Sequence, residues 1–484
     1  MPSTPSGVLK KLAMLGKTKV LLVLLLVPFW IYLRGIYRDR LGAFGCFDDC
    51  FNIVAGYFLG QGKHLYSEIF FNHQPLPAYI SFLIQQFYQP QSIYELIYRH
   101  RMVLIGFFAL ADVFLVLRFG IVGFAFALLY ETTKGFLFGE RFLAESMIVY
   151  PLVYLFGLMW QKKRYWFEPV LVAIAAWFVV FSREPYVPLA IFLLALFRSK
   201  FAWLIFILLS AVTLSVHNIF AYWFNIVTVN AGAVALSPWV FFYPLTVFFG
   251  GTWNVFRWIE VILSALLLVL SLRALRRAVL IFIVLALANI RPVEPGMLYY
   301  ATFHHLVYYA LLIASVVFLW KRSYLLIAPL VLFAVLSPQS YLQERVDRAD
   351  QFGIGYGHYI MQGEIIRRLS DPTNTLFLEL WDDLIYWQAK LPSAYKYSWY
   401  TSSMANFSMY RNAREEMFAA NPPDFYYGQC SDMQVSLPQN LQSDYIRLTQ
   451  GGTPTCIFVK KAIVSQIPDN RWISVRDFSI DKPR

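Results

Sequence analysis

Long apolar runs constrain this chain more than any other feature. The stretch "KVLLVLLLVPFWIYL", residues 19–33, carries no charge after Lys19, and comparable runs recur as far as residue 338. Lipid offers the backbone no hydrogen bonds, so such runs must satisfy their own amides as helices. Of the 484 residues, 58% are hydrophobic and 14% charged, against roughly 45–50% and about 25% in soluble domains. The reading is an α-helical polytopic membrane protein. A net charge of +12 raises nucleic acid as a partner. The basic residues, however, lie in short clusters between apolar runs. That pattern orients a membrane protein, and no nucleic acid is expected.

Eleven candidate spans fall near 19–35, 101–118, 119–133, 142–160, 165–181, 185–198, 201–217, 258–273, 277–290, 301–320 and 323–338. No small-residue cleavage site follows the first run, which is therefore expected to stay as an anchor. Lys162, Lys163 and Arg164 share one side with Arg198, Lys200, Arg273, Arg276, Arg277, Lys321 and Arg322. By the positive-inside rule that side is the cytoplasm. The expected location is the plasma (inner) membrane, multi-pass. Residues 1–339 form the transmembrane module, with 36–100 as its first outer loop, and 340–484 form an extracytoplasmic domain. In that domain "GHYIMQGEIIRRL" and "RNAREEMFAANPP" read as helices, while "TLFLEL", "DFYYGQC" and "CIFVKK" read as strands. The alternation predicts a small α/β fold. Residues 218–258, aromatic and broken by Pro and Gly, read as an outer loop with re-entrant or interfacial helices.

Ionisable residues gather at the outer ends of the spans. They include Asp48, Asp49, His64, Glu68, His73, Glu140, Arg141, Glu145, Arg183, Glu184, Arg291, Glu294, His304 and His305. Charge inside a membrane is costly and marks function by default. For Glu68, Glu140 and Arg257 the simpler reading is a solvated loop end. For Asp48, Asp49, Glu145, Arg183 and the histidine pair a functional reading is favoured. Acids mixed with arginines suit an anionic substrate from which a proton is removed: arginine binds phosphate and a carboxylate acts as base.

The order "FDDCFNIVAGYFLGQGKHLYSEIFFNHQPLPAYI" resembles the first outer loop of GT-C glycosyltransferases, among them protein O-mannosyltransferases and the lipid A aminoarabinose transferase. "RFLAES", with Glu145, and "NIRPVEPGMLYYATFHHLVYYAL" resemble two later segments. Gln74 departs from the aminoarabinose enzyme's motif, which carries lysine there, so that enzyme's substrate is not carried over. The resemblance implies a GT-C fold with about 11 transmembrane helices. It also implies inverting transfer of a sugar from a polyprenyl-phosphate donor to a glycan, lipid or protein acceptor of the cell envelope. Asp48 takes the place of the base, with Asp49 beside it and Glu145 as a further catalytic acid. Arg183, Arg291, His304 and His305 are the candidates for donor phosphate. His73 and Glu145 are candidate ligands for a divalent metal, the sole cofactor considered. The alternatives are an oligosaccharide ligase of the same type and a lipid or solute transporter.

Cys430 and Cys456 flank a polar stretch of the outer domain, where either a disulfide or two buried thiols fits. Cys46 and Cys50, four apart, read as one helical face.

Overall fold

A computed structural model of the protein describes residues 5–41, 48–233, 255–272, 275–289, 302–320, 324–337, 348–379, 384–428 and 437–483. Its secondary structure is mostly helical, with one small C-terminal sheet. Each apolar run carries a helix: α1 (Pro5–Arg40), then, after α2 (Asp48–Gly60) and α3 (Leu76–Tyr88), α4 (Ile93–Phe119), α5 (Ile121–Thr133), α6 (Ala144–Leu158), α7 (Glu168–Val180), α8 (Val187–Phe197) and α9 (Lys200–Ser215). Val255–Leu272, Leu275–Ala288, Leu306–Leu319 and Tyr324–Leu336 complete the apolar set. Among the described residues two stretches, Gly16–Tyr37 and Ile93–Phe119, are long and apolar enough to cross a membrane. A third qualifies if Lys200–Ser215 and Ile219–Gly232 count as one broken span.

The chain divides into two units. The first comprises residues 1–41, 100–213 and 236–347, and the second 42–99, 214–235 and 348–484. In the first, Leu306–Leu319 packs against α5, α6 and Val255–Leu272 and is buried along nearly its whole length. Gly157 on α6 permits the approach, since a Cβ there would come 2.6 Å from the Phe318 ring. Leu22 and Leu26 of α1 pack on Val116 of α4 and Ala127 of α5.

In the second unit α2 and α3 form a tight pair. A Cβ on Gly56 would fall 2.6 Å from Ser81 Oγ, and Gln85 Nε2 donates to the Ile53 carbonyl at 2.8 Å. The sheet has the order β1 (Leu376–Leu378), β2 (Phe425–Tyr427), β4 (Thr453–Lys460), β3 (Tyr445–Gln450). The β1–β2 pair is parallel and the other two are antiparallel. Gly451 and Gly452, at φ 53° and 81°, make the tight turn between β3 and β4, a conformation that other residues adopt only at a cost. β1, β2 and β4 lie where the sequence predicts strands; β3, "YIRLTQ", was not anticipated. Between Ile219 and Ala233 the chain is helical with a π turn at Phe224–Val229.

Cys50 and Cys456 are both disulfide-bonded, with Cys46 and Cys430 outside the described residues. Cys50 therefore does more than line a helix face: its thiol is covalently committed.

Candidate functional site

The predicted site residues fall into two groups, one in each unit. In the second unit, Asp48 and Asp49 occupy the first turn of α2. The partial positive charge of a helix N-terminus stabilises a carboxylate there by about 0.3–1 kcal/mol. The two acids are not equivalent. Asp48 keeps 27% of its side chain exposed, with Oδ2 3.6 Å from His73 Nε2. Asp49 is fully buried, and its Oδ1 accepts the Cys50 amide at 3.1 Å.

His73 is held firmly. Phe51 packs edge-on to its ring at 5.2 Å and Phe71 at 5.8 Å. Tyr66, at φ 70°, donates its hydroxyl to the His73 carbonyl at 3.0 Å. The neighbouring amides are also fixed. Gln74 Oε1 accepts from Tyr222 Oη at 2.9 Å, and Asn230, just past the π turn, donates to the Asn72 carbonyl at 2.8 Å. The C-terminal chain closes the loop: Phe70 donates to the Tyr397 carbonyl at 2.9 Å and Ser398 Oγ to that of Glu68 at 3.0 Å. Lys63, 3.2 Å from Ser398 Oγ, has its ammonium pushed down to about 8 by burial, with Glu68 acting in the opposite sense. Glu68 accepts the His64 amide at 2.9 Å, which suits the loop-end role read for it.

In the first unit, Glu145 opens α6 and is completely buried. Arg183, 1% exposed, donates from Nε to Glu145 Oε1 at 3.0 Å, and His304 Nδ1 lies 3.1 Å from the same oxygen. Arg183 comes from the extended residue before the Glu184–Tyr186 turn, and Tyr186 donates to the His304 carbonyl at 3.1 Å. The neighbouring His305 turns to a different acid, with Nε2 2.5 Å from Glu260 Oε1. The structure thus unites Glu145, Arg183 and His304, pairs Asp48 with His73, and splits the two histidines. Arg291 lies outside the described residues. Glu140 is buried at 2% exposure, so the solvated reading does not hold for it.

Glu260 was missed, although "FRWIEVILSALLL" sets it in an apolar run, the signal that singled out Glu145. Asp112 in "LADVFLV" and the pair Glu131 and Lys134 in "YETTK" were missed for the same reason. All three are fully buried.

The donors do not fit a divalent metal at Glu145. Its oxygen already faces a guanidinium at 3.0 Å, and a dication beside that fixed positive charge would be repelled. His73 and Asp48 offer two donors where a protein site ordinarily supplies three or more. Among the described residues no three His, Cys, Asp or Glu side chains gather as a metal site.

Fold and side chains together define a helical protein suited to membrane association, with a small mixed sheet and buried charge clusters. No family model, curated protein or solved structure matches this chain.

Proposed function

We propose that the chain is an integral-membrane inverting glycosyltransferase of GT-C type, moving a single sugar from a polyprenyl-phosphate donor to an acceptor hydroxyl on the outer membrane face. The observation that carries this reading is the Asp48–His73 pair. A part-exposed carboxylate 3.6 Å from an imidazole suits a general base. It can reach an acceptor hydroxyl, and its neighbour helps carry the proton it takes.

In the mechanism, Asp48 removes the acceptor hydroxyl proton as the oxygen attacks the anomeric carbon. The bond from that carbon to the phosphate oxygen breaks, and polyprenyl phosphate departs with the bonding pair. Phosphate is already a good leaving group and needs little acid assistance. A cationic group would stabilise its growing charge, the part that the resemblance gives to Arg183, Arg291, His304 and His305. Glu145 orients Arg183 and His304, and Asp49 positions the start of α2. No step is routed through a metal. Arg291 and His305 stay candidates for the phosphate.

The same reading takes the apolar helices as about eleven spans in the plasma membrane, with residues 340–484 outside. Its support is the convergence of basic groups. Lys19 Nζ donates to the Leu117 carbonyl at 2.6 Å, next to Arg118, and Arg118 Nε meets Glu168 at 2.6 Å, as expected of residues gathered on a cytoplasmic face.

The test presents the purified full chain, in lipid bilayers, with a panel of polyprenyl-phosphate sugars. Consumption of one donor with release of polyprenyl phosphate is expected. Movement of lipid or solute across the bilayer without chemistry would replace the reading with a transporter.

A further inference from the structure

The first unit buries another set of charges that the proposed reaction leaves unused. Asp112 on α4, Glu131 on α5 and Lys134 in the turn after α5 are fully buried, and Tyr150 on α6 nearly so. Lys134 Nζ lies 2.6 Å from Glu131 Oε2 and donates to Tyr150 Oη at 3.0 Å. The Tyr150 hydroxyl in turn donates to Glu131 Oε1. The Phe108 ring centre sits 3.4 Å from the ammonium, with Trp30 and Tyr37 of α1 farther out at 5.9 and 5.5 Å. Glu131 is thus matched to the ammonium and to a hydroxyl.

Asp112 is not. Its Oδ2 accepts from Trp30 Nε1 at 3.2 Å, while the equally buried Oδ1 has no hydrogen-bond partner among the described residues. The groups facing the cluster are few. Trp30 and Tyr37 come from α1, Tyr130 and Glu131 from α5, Lys134 from the turn and Tyr150 from α6, while Glu140 acts on Lys134 from a distance. The charged groups that act on Asp112 are Glu131 and Lys134. Asp112 and Glu131 therefore draw on the same ammonium. Lys134 matches Glu131, and a second buried carboxylate would stand without the compensation that buried charge requires.

We infer that this cluster is a proton-binding site inside the membrane unit, with one proton held on Asp112. Loaded, the carboxylic acid, the Glu131 carboxylate and the Lys134 ammonium sum to neutrality. Release leaves Asp112 as a carboxylate, the proton passes to water, and the cluster carries one net negative charge. A site of this kind makes the interior charge of the unit follow its proton load, independently of whether sugar transfer occurs.

The test is infrared difference spectroscopy of the full chain in bilayers, reading the C=O stretch of protonated carboxyls in light and heavy water. At neutral pH the wild-type spectrum should contain a band that is absent from Asp112→Asn, which keeps the shape and the Trp30 contact. Lys134→Met should add a second protonated carboxyl and roughly double the cluster's signal. Trp30→Phe leaves both acids in place and removes the hydrogen bond to Asp112, so the band should move to higher frequency. A spectrum unchanged in Asp112→Asn would overturn the inference. A band that ignores Trp30→Phe would likewise overturn the placement of the proton on Asp112.

Discussion

Glu145 and Asp48 each begin a helix and each meet a histidine, yet their settings differ. Glu145 has no exposed surface and binds Arg183 at 3.0 Å, so its charge is spent on a fixed cation. Asp48 keeps 27% of its side chain open, with an imidazole 3.6 Å away. Removed from water and matched to arginine, a carboxylate organises its neighbours. Left part-exposed beside an imidazole, it is open to an incoming hydroxyl. The proposed reaction therefore gives positioning to the acid matched with arginine and chemistry to the acid left part-exposed.

The sharpest way to break this contrast is to neutralise each acid. Asp48→Asn should lower transfer about a hundred- to ten-thousandfold, the usual contribution of a general base, with donor binding retained. Rates and donor affinity measured on the same preparation check it. If Asp49→Asn is the inactive variant and Asp48→Asn is not, the base moves one residue along.

For Glu145 the expected loss lies in stability. Arg183→Met strands a buried carboxylate and should cost about 3–5 kcal/mol, seen as a lower unfolding midpoint. Adding Glu145→Gln should restore much of that loss. A double variant no better than the single would show that the pair is not the unit described.

His304 touches the Glu145 cluster and His305 does not. His304→Ala should weaken donor binding about tenfold, roughly 1.4 kcal/mol, and His305→Ala should weaken it less. Equal effects would erase the distinction between the adjacent histidines.

The smallest effect concerns Lys63, whose burial lowers it from 10.5 to about 8. Between those values the unfolded chain holds more protons than the folded one, so stability should rise with pH. The gain should be about 1 kcal/mol after allowance for solvent screening. Lys63→Met should flatten the rise in thermal unfolding measured across that window.

Much of this architecture was legible from the sequence. Apolar runs mark helices because the membrane leaves them no other fold, and "TLFLEL", "DFYYGQC" and "CIFVKK" mark strands because short apolar segments flanked by polar ones suit a half-buried sheet. Glu145 was legible because an acid in an apolar run demands a partner. The identity of that partner was not, since Arg183 and His304 lie 38 and 159 residues away and only tertiary packing brings them in. Asp112, Glu131 and Lys134 carried the same signal. Asp112 lies within one apolar run and Glu131 and Lys134 close to the end of another, so nothing in the local sequence says that the three meet. The split of His304 from His305 follows from their place in the 3-10 turn Thr302–His305, where adjacent side chains diverge.

The proposed reaction is a single displacement at the anomeric carbon with Asp48 as base, which product stereochemistry reports. The purified chain in bilayers is given an anomerically pure polyprenyl-phosphate sugar with its acceptor, and the glycoside is examined by NMR while released polyprenyl phosphate is quantified. Equimolar release and an inverted anomeric configuration are expected. A retained configuration, or donor that stays intact under every acceptor tried, would contradict the proposed reaction.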